Sequence, residues 1–193
     1  MKKLLLFVAI MVLGVASASA QSENYKAFKV DVGTLYAVPG GDDIKAGIGF
    51  YFEPKYNVSD NIAVGLKMEW AVMGSADKDG QSYDVSALGT YQLTGDYYFG
   101  DSKVRPFVGL GTGIYSIGSV EQKVNISAGG STVNIDGNYD YGSKFGFAPR
   151  AGVLLGHFRL GLEYNIITGI ESAMESRNYL SFKLGFEIGG GRK

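Results

Sequence analysis

The chain has 193 residues, no cysteine, one histidine and 29 glycines, and its 18 basic residues nearly balance its 19 acidic ones. This balance and the absence of a basic stripe argue against nucleic acid as a partner. The lack of cysteine excludes disulfides and thiolate chemistry.

The first twenty residues are predicted to be a secretory signal peptide, followed by a single exported domain, residues 21–193. Two lysines at positions 2 and 3 precede an apolar stretch from Leu4 to Ala16, and Ala18-Ser19-Ala20 supplies small residues for cleavage before Gln21. An apolar stretch of about 13 residues is shorter than the roughly 20 that a spanning helix needs. We therefore expect cleavage between Ala20 and Gln21.

The exported part repeats a period-two alternation of apolar residues, which is typical of strands with two different faces. The clearest segment is Ile62–Val72, in which every second residue is large and apolar. Eight such segments are predicted in chain order: Phe28–Tyr36, Ile44–Glu53, Ile62–Val72, Tyr83–Phe99, a fifth containing Val108–Tyr115, Phe145–Leu155, Phe158–Ile166 and Leu180–Ile188.

The fifth segment, VGLGTGIY from Val108 to Tyr115, resembles a phosphate-binding glycine loop in its spacing alone. A dinucleotide fingerprint needs its glycines in a turn between a strand and an amphipathic helix, and no such helix follows. Gly109, Gly111 and Gly113 instead occupy one face of a strand whose other face is apolar. We predict a strand and no bound cofactor.

The polar faces of the eight segments carry as many basic as acidic side chains. Their charged members are Lys29, Lys45, Lys55, Lys67, Arg150, Arg159, Lys183, Asp31, Glu53, Glu69, Asp84, Asp96, Glu163 and Glu187. A Lys or Arg that faces lipid at the membrane midplane costs about 2–4 kcal/mol, so we expect these side chains to point inward and to pair. The predicted lumen network contains Lys45, Glu53, Lys67, Glu69, Asp96, Arg150, Arg159, Glu163, Lys183 and Glu187.

Lipid offers no partner for open strand edges, so the sheet must close on itself. The sequence therefore predicts an all-β fold, a closed eight-stranded antiparallel up-and-down transmembrane barrel, whose interior is just wide enough for side chains.

Connection lengths predict the orientation of this barrel, because outer-membrane barrels have short periplasmic turns and longer external loops. The short connections are Asn57–Asn61, Gly100–Val104 and Gly156-His157, which places both termini in the periplasm. The fifth strand continues its alternation to Ile126, and residues 132–136 lead back towards the sixth, which predicts a protruding external hairpin. Two additional spanning strands, ten in all, are the alternative.

Three stretches carry a resemblance to a known family: LTGDYYFGDSKVRPFVGLGTGIY from Leu93, PRAGVLLG from Pro149 and YLSFKLGFEIGGG from Tyr179. The chain resembles small outer-membrane β-barrel proteins of the OmpA/OmpX/OmpW type. The resemblance implies a place in the bacterial outer membrane and insertion by the outer-membrane assembly machinery, which reads a last strand ending in an aromatic residue. Here that aromatic is Phe186, and seven further residues follow it.

Candidate chemical sites are few. The single histidine, His157, lies in a predicted periplasmic turn, away from the external face where a lipid-modifying or proteolytic enzyme would need its base. A Glu69–Glu163 pair could serve acid/base chemistry, but the basic residues between them favour ion pairing. Neither DKDG at Asp77 nor DGNYD at Asp136 has calcium-loop spacing, so we expect no metal site.

Proline is more informative, because Pro149 lies deep in its predicted strand and removes a ladder donor that lipid cannot replace. It is either a bulge or a lateral gap for a small apolar ligand.

The sequence thus favours a non-enzymatic outer-membrane barrel, an envelope or surface-interaction protein with a lumen plugged by ion pairs. Its contacts would be membrane lipid and, at the external hairpin, a protein that adds a strand. The alternative is a narrow porin-like channel or a transporter of small solutes.

Overall fold

A computed structural model of the chain describes residues 22–40, 44–76, 83–121, 138–168 and 178–193. The predicted cleavage site at Ala20 and Gln21 lies outside these residues, as does the predicted hairpin tip, 122–137. The described segments include no helix long and apolar enough to cross a membrane.

Eight strands form one sheet, and the ladder closes between the first and the last. They are β1 (Phe28–Pro39), β2 (Ile44–Asn57), β3 (Ile62–Ala76), β4 (Tyr83–Tyr98), β5 (Val104–Glu121), β6 (Asn138–Leu155), β7 (Phe158–Ile167) and β8 (Tyr179–Gly189). Each strand pairs antiparallel with its sequence neighbours, and β1 pairs with β8 from Lys29–Gly189 to Pro39–Tyr179. The closed eight-stranded barrel is confirmed, and the ten-stranded alternative is wrong, because β5 pairs directly with β6.

The two faces of the wall follow the predicted alternation. In β3, Lys67 is fully buried whereas its neighbour Leu66 is 51% exposed. The same contrast holds in β2, where Glu53 is buried and Phe50 is 57% exposed. Large apolar side chains therefore cover the outside, which only a hydrocarbon environment can satisfy over so many strands.

The wall is taller on one side of the barrel than on the other. β4, β5 and β6 contain 16, 18 and 18 residues, whereas β7 and β8 contain 10 and 11. A tilted apolar band needs only about 9–11 residues, so the three long strands extend beyond it. β4 stays paired with β5 as far as Asp84 with Glu121, and with β3 as far as Tyr83 with Ala76. The extension therefore includes β3 and β4 beside the two strands of the hairpin that the sequence predicted.

The end of the barrel with the three short connections is called here the short-turn end, and the opposite end the long-loop end. The first and last described residues lie at the short-turn end, where Tyr25 pairs with Arg192 in an isolated bridge. The Asp60 carboxylate in the β2–β3 turn accepts hydrogen bonds from Ser22 Oγ at 2.5 Å and from the Asn24 backbone N–H at 3.0 Å. These bonds to the charged form lower the pKa of Asp60 to about 2.

Candidate functional site

The lumen holds a large charge cluster, made of Lys29, Asp31, Glu53, Lys55, Asp96, Arg150, Arg159 and Glu187, near the short-turn end. Asp96 on β4 is its centre, because three cations from three other strands contact this one carboxylate. Lys55 Nζ lies 2.9 Å, Arg150 Nε 2.7 Å and Arg159 Nη2 2.8 Å from its oxygens. These contacts tie β2, β4, β6 and β7 together across the lumen.

The other carboxylates of the large cluster bridge the same cations. Glu53 accepts from Arg150 Nη2 at 2.7 Å and lies 3.2 Å from Lys55 Nζ. Asp31 lies 2.5 Å from the same lysine and 3.5 Å from Arg159 Nε. A separate pair, Lys29 with Glu187 at 2.9 Å, joins β1 to β8 across the closing seam. Each carboxylate in the cluster therefore has a basic partner.

A small charge cluster of four residues, Lys67, Glu69, Glu163 and Lys183, lies nearer the long-loop end. Lys183 Nζ contacts Glu69 at 2.6 Å and Glu163 at 2.9 Å, while Lys67 bonds to Glu163 and lies 3.3 Å from Glu69. The two carboxylates that could have formed an acid/base pair are each held between two ammonium groups. A 3.8 Å contact from Arg150 Nη1 to Glu163 connects the small cluster to the large one.

The two clusters are electrically neutral, with six cations against six carboxylates. Nine of the ten predicted network residues lie in them; the side chain of the tenth, Lys45, is outside the described part of the structure, as is that of Asp84. Neutrality matters because an unpaired charge in a buried site costs several kcal/mol. The paired residues come from seven of the eight strands, so the ion pairs connect these strands across the lumen.

Apolar side chains cover the charge clusters at both ends, a feature that the sequence analysis missed. At the long-loop end, eight buried residues pack together: Leu35, Ala37, Ala71, Met73, Leu88, Tyr115, Ile167 and Tyr179. At the short-turn end Ala63, Tyr98, Phe107 and Leu154 form a second group. The sequence could have predicted that Leu35, Met73 and Leu88 point inward, because each lies on the same face of its strand as the charged residues, near the strand end.

The glycines of β5 make room for the charged side chains. A Cβ at Gly109 would collide with the Asp96 carboxylate and lie 3.1 Å from Arg150 Nε. One at Gly111 would collide with the Gln92 amide and lie 3.4 Å from the Ala148 Cβ. The glycine-rich run therefore serves packing inside a narrow barrel, in agreement with its assignment as a strand.

A small void lies beside the clusters. It is lined by Glu53, Arg150, Arg159, Glu163 and Lys183, among others, and measures about 10 Å³, which is the least that can hold one water molecule. Within the described ranges, no group of three or more His, Asp or Glu side chains could hold a metal ion. His157 lies in the β6–β7 turn, its Nδ1 2.9 Å from the Glu187 carbonyl and its ring stacked on Phe186.

Pro149 faces outward. The residue pairing of β6 with β7 is interrupted beside it, because no described pair lies between Phe147–Ile166 and Arg150–Glu163. Pro54 produces the same interruption in β2–β3, between Phe52–Met68 and Lys55–Gly65. A groove of about 960 Å³ lies on the outer surface near the Pro149 interruption, lined by β1, β2, β6, β7 and β8, with Val153, Leu160 and Phe182 among its walls.

Comparison with known proteins identifies a matching family and several similar solved structures. The sequence pattern of the family described as "Outer membrane protein beta-barrel domain" matches residues 6–188. The comparison with curated proteins gives no match to this sequence. Neisserial surface protein A (NspA) is 13% identical, with a TM-score of 0.60 over 86% of this chain and 99% of that one.

Two further solved structures are similar over most of the chain. The attachment invasion locus protein Ail of Yersinia pestis is 14% identical, with a TM-score of 0.49 over 84% of this chain and 99% of that one. Outer membrane protein OprG from Pseudomonas aeruginosa is 13% identical, with a TM-score of 0.49 over 89% of this chain and 100% of that one. At 13% identity, the similarity to NspA is one of fold alone.

The lumen geometry predicts that Asp96→Asn destabilises the barrel by about 3–5 kcal/mol, because three buried cations lose their shared carboxylate. The free energy of unfolding in urea, measured in lipid vesicles, checks this. The matched control is Asp101→Asn, which removes an exposed carboxylate 3.2 Å from Arg192 and should cost less than about 1 kcal/mol. Equal losses in the two variants would contradict a structural role for the large cluster.

Proposed function

This chain belongs to the outer membrane protein beta-barrel family, and we propose that it serves there as a non-enzymatic envelope protein with a lumen closed to solutes. It lies in the bacterial outer membrane. The observation that carries the proposal is the neutral set of twelve paired charges, covered by apolar side chains at both ends. Ions would have to break several of these pairs at once in order to pass.

The chemistry of the lumen supports a structural role over an enzymatic one. Glu69 and Glu163, the nearest thing to an acid/base pair, are each bound by both Lys67 and Lys183. His157 is the only histidine of the chain, and its ring packs against Phe186 at the barrel rim. No hydrogen bond within the described ranges joins His157 or either carboxylate to a serine hydroxyl that could act as a nucleophile.

A surface-contact role fits the tall side of the wall. β7 ends at Ile167, which pairs with Gly146, so the first residues of β6, Asn138 to Tyr141, extend past the end of their neighbour. On their other side they pair with β5, from Gly118–Asp140 to Val120–Asn138. This stretch offers a strand edge to which a partner protein could add a strand.

Insertion into the membrane is expected to use the outer-membrane assembly machinery. β8 presents Phe186 on the lipid side and continues through Ile188, also exposed to lipid, before the chain turns at Gly189.

Single-channel recording tests the closed lumen. We expect the purified protein, inserted in a planar bilayer, to give no resolved current steps, because a filled lumen passes few or no ions. An open porin in the same membrane serves as the positive control for insertion and detection. Regular, ion-selective steps from the wild-type chain would overturn the proposal and favour a narrow channel.

The tall side of the wall is tested by deleting Glu121–Asp136, the segment that joins β5 to the edge stretch Asn138 to Tyr141. The shortened protein should still fold, as shown by its unheated mobility in gels, and should lose the protein partner that wild-type cells recover by crosslinking. Deleting Glu171–Glu175 from the β7–β8 connection is the matched control and should leave partner recovery unchanged. Recovery of the same partner by the Glu121–Asp136 deletion would refute a partner contact at the external hairpin.

An apolar transport route is the second candidate, and the interruption at Pro149 favours it. If a small apolar ligand leaves the lumen there, Pro149→Val should restore a ladder donor and slow uptake of an apolar dye into vesicles that contain the protein. Pro54→Val repairs the corresponding interruption in β2–β3 and is the control. Unchanged uptake in the Pro149 variant would dispose of the lateral gap.

A further inference from the structure

The short-turn end contains a pocket of about 490 Å³, which the proposed function does not use and whose wall shares one residue, Glu187, with the large charge cluster. It lies between the β4–β5 turn, the β6–β7 turn and the C-terminal residues. Its walls include Tyr25, Lys103, Arg105, His157, Glu187 and Arg192. A volume of this size is within the range of small-molecule sites, about 300–1,000 Å³.

Arg105 in the wall of this pocket is buried, with only 5% of its surface exposed. Its Nη2 donates to the Asp60 carbonyl at 2.5 Å, and its Nε donates to the Gly100 carbonyl at 3.2 Å. The guanidinium carbon lies 4.2 Å from the Tyr25 ring centroid and 4.7 Å from that of Tyr98. Carbonyls and rings thus fix the position of the group without neutralising its charge.

Arg105 differs in one respect from the other buried basic residues of the described chain. Lys29, Lys55, Lys67, Arg150, Arg159 and Lys183 each lie within 4 Å of at least one carboxylate. None of the ion pairs in the described ranges includes Arg105. Buried charges in folded proteins are almost always paired, so a cation held this firmly without a counter-charge indicates that an anion from outside completes the site.

The carboxylates near the pocket are already engaged. Asp60 binds Ser22 and Asn24, and those hydrogen bonds hold its pKa at about 2. Glu187 pairs with Lys29 at 2.9 Å, and Asp101 with Arg192 at 3.2 Å. This leaves Arg105 and the exposed Lys103 as cations in the pocket wall with no described carboxylate partner.

We propose that this pocket binds a small organic oxyanion, a carboxylate or a phosphate ester, with Arg105 as the central ligand and Lys103 as a second cation. Nη1 of Arg105 makes no hydrogen bond within the described chain and provides donors for the ligand. A planar, rigid guanidinium matches both oxyanions in bidentate geometry. The ligand could be a free solute or the headgroup of a membrane phospholipid, which share this chemistry.

The test uses His157 as a reporter, because it is the only histidine of the chain and lines the pocket. The full mature chain is refolded in an uncharged maltoside detergent, and the imidazole signals are followed by NMR at constant pH and ionic strength. Succinate and glycerol phosphate are the probes, at up to about 10 mM. We expect a saturable shift of the His157 signals with at least one of them.

Variants assign the effect to Arg105. Arg105→Lys keeps the charge but loses the bidentate fork, so binding should weaken about tenfold, and Arg105→Gln should abolish the saturable shift. Lys26→Gln is the control, because it removes one exposed positive charge at the same end without lining the pocket. If Arg105→Gln does not fold, the assignment rests on Arg105→Lys and Lys103→Gln. Each of these variants should bind the probe more weakly than wild type does.

Phospholipid nanodiscs distinguish the two sources of the anion. A headgroup ligand would shift the His157 signals in nanodiscs before any probe is added, in an Arg105-dependent way, whereas a free solute would act equally in nanodiscs and detergent. Either pattern supports the site. The proposal is overturned if no saturable shift occurs in either medium, or if wild type and Arg105→Lys respond identically. Both outcomes are independent of whether the lumen conducts.

Discussion

The structure depends on one constraint: hydrocarbon cannot satisfy a charge or an open backbone edge. The backbone meets it through pairing of β1 with β8, which leaves the sheet without a free margin at membrane height. The side chains meet it through alternation, which turns Leu66 to the lipid and Lys67 to the inside. Successive side chains of a strand point to opposite faces. A wall whose outer face is apolar therefore also places every second side chain in a narrow interior.

That interior imposes a second requirement, which is that its charges balance locally. Asp96 is shared by Lys55, Arg150 and Arg159, while Lys67 and Lys183 share Glu69 and Glu163. Pairs of this kind add little net stability compared with a well-packed apolar core, because desolvation offsets most of their attraction. Their effect is to fix which strands face one another, since a one-residue slip would move a charge to the lipid side.

The strand pattern could be read from the sequence because alternation is a local property. The alternation of apolar and polar positions predicted the eight strands and their order. It also predicted that Asp96 and Arg150 point inward. Three features did not follow. The apolar layer with Leu35 and Met73 depends on which inward positions share a level of the barrel, and that is set by strand tilt. The extension of β4 beside β5 depends on register across the wall, and the position of Arg105 depends on how the chain ends fold.

The charge clusters are covered by different parts of the chain at the two ends of the barrel. At the long-loop end, Tyr115 and Tyr179 lie with aliphatic side chains over the small charge cluster, so the cover is built from the wall itself. At the short-turn end, the terminal segments add to the cover, with Tyr25 paired to Arg192 and Asp60 holding Ser22 and Asn24. There the guanidinium of Arg105 lies close to the rings of Tyr25 and Tyr98, and its Nη1 makes no hydrogen bond within the described chain. The lumen cations Lys55, Arg150 and Arg159 are each held by carboxylates, so a ligand site that needs an unpaired cation is more compatible with the short-turn end than with the lumen.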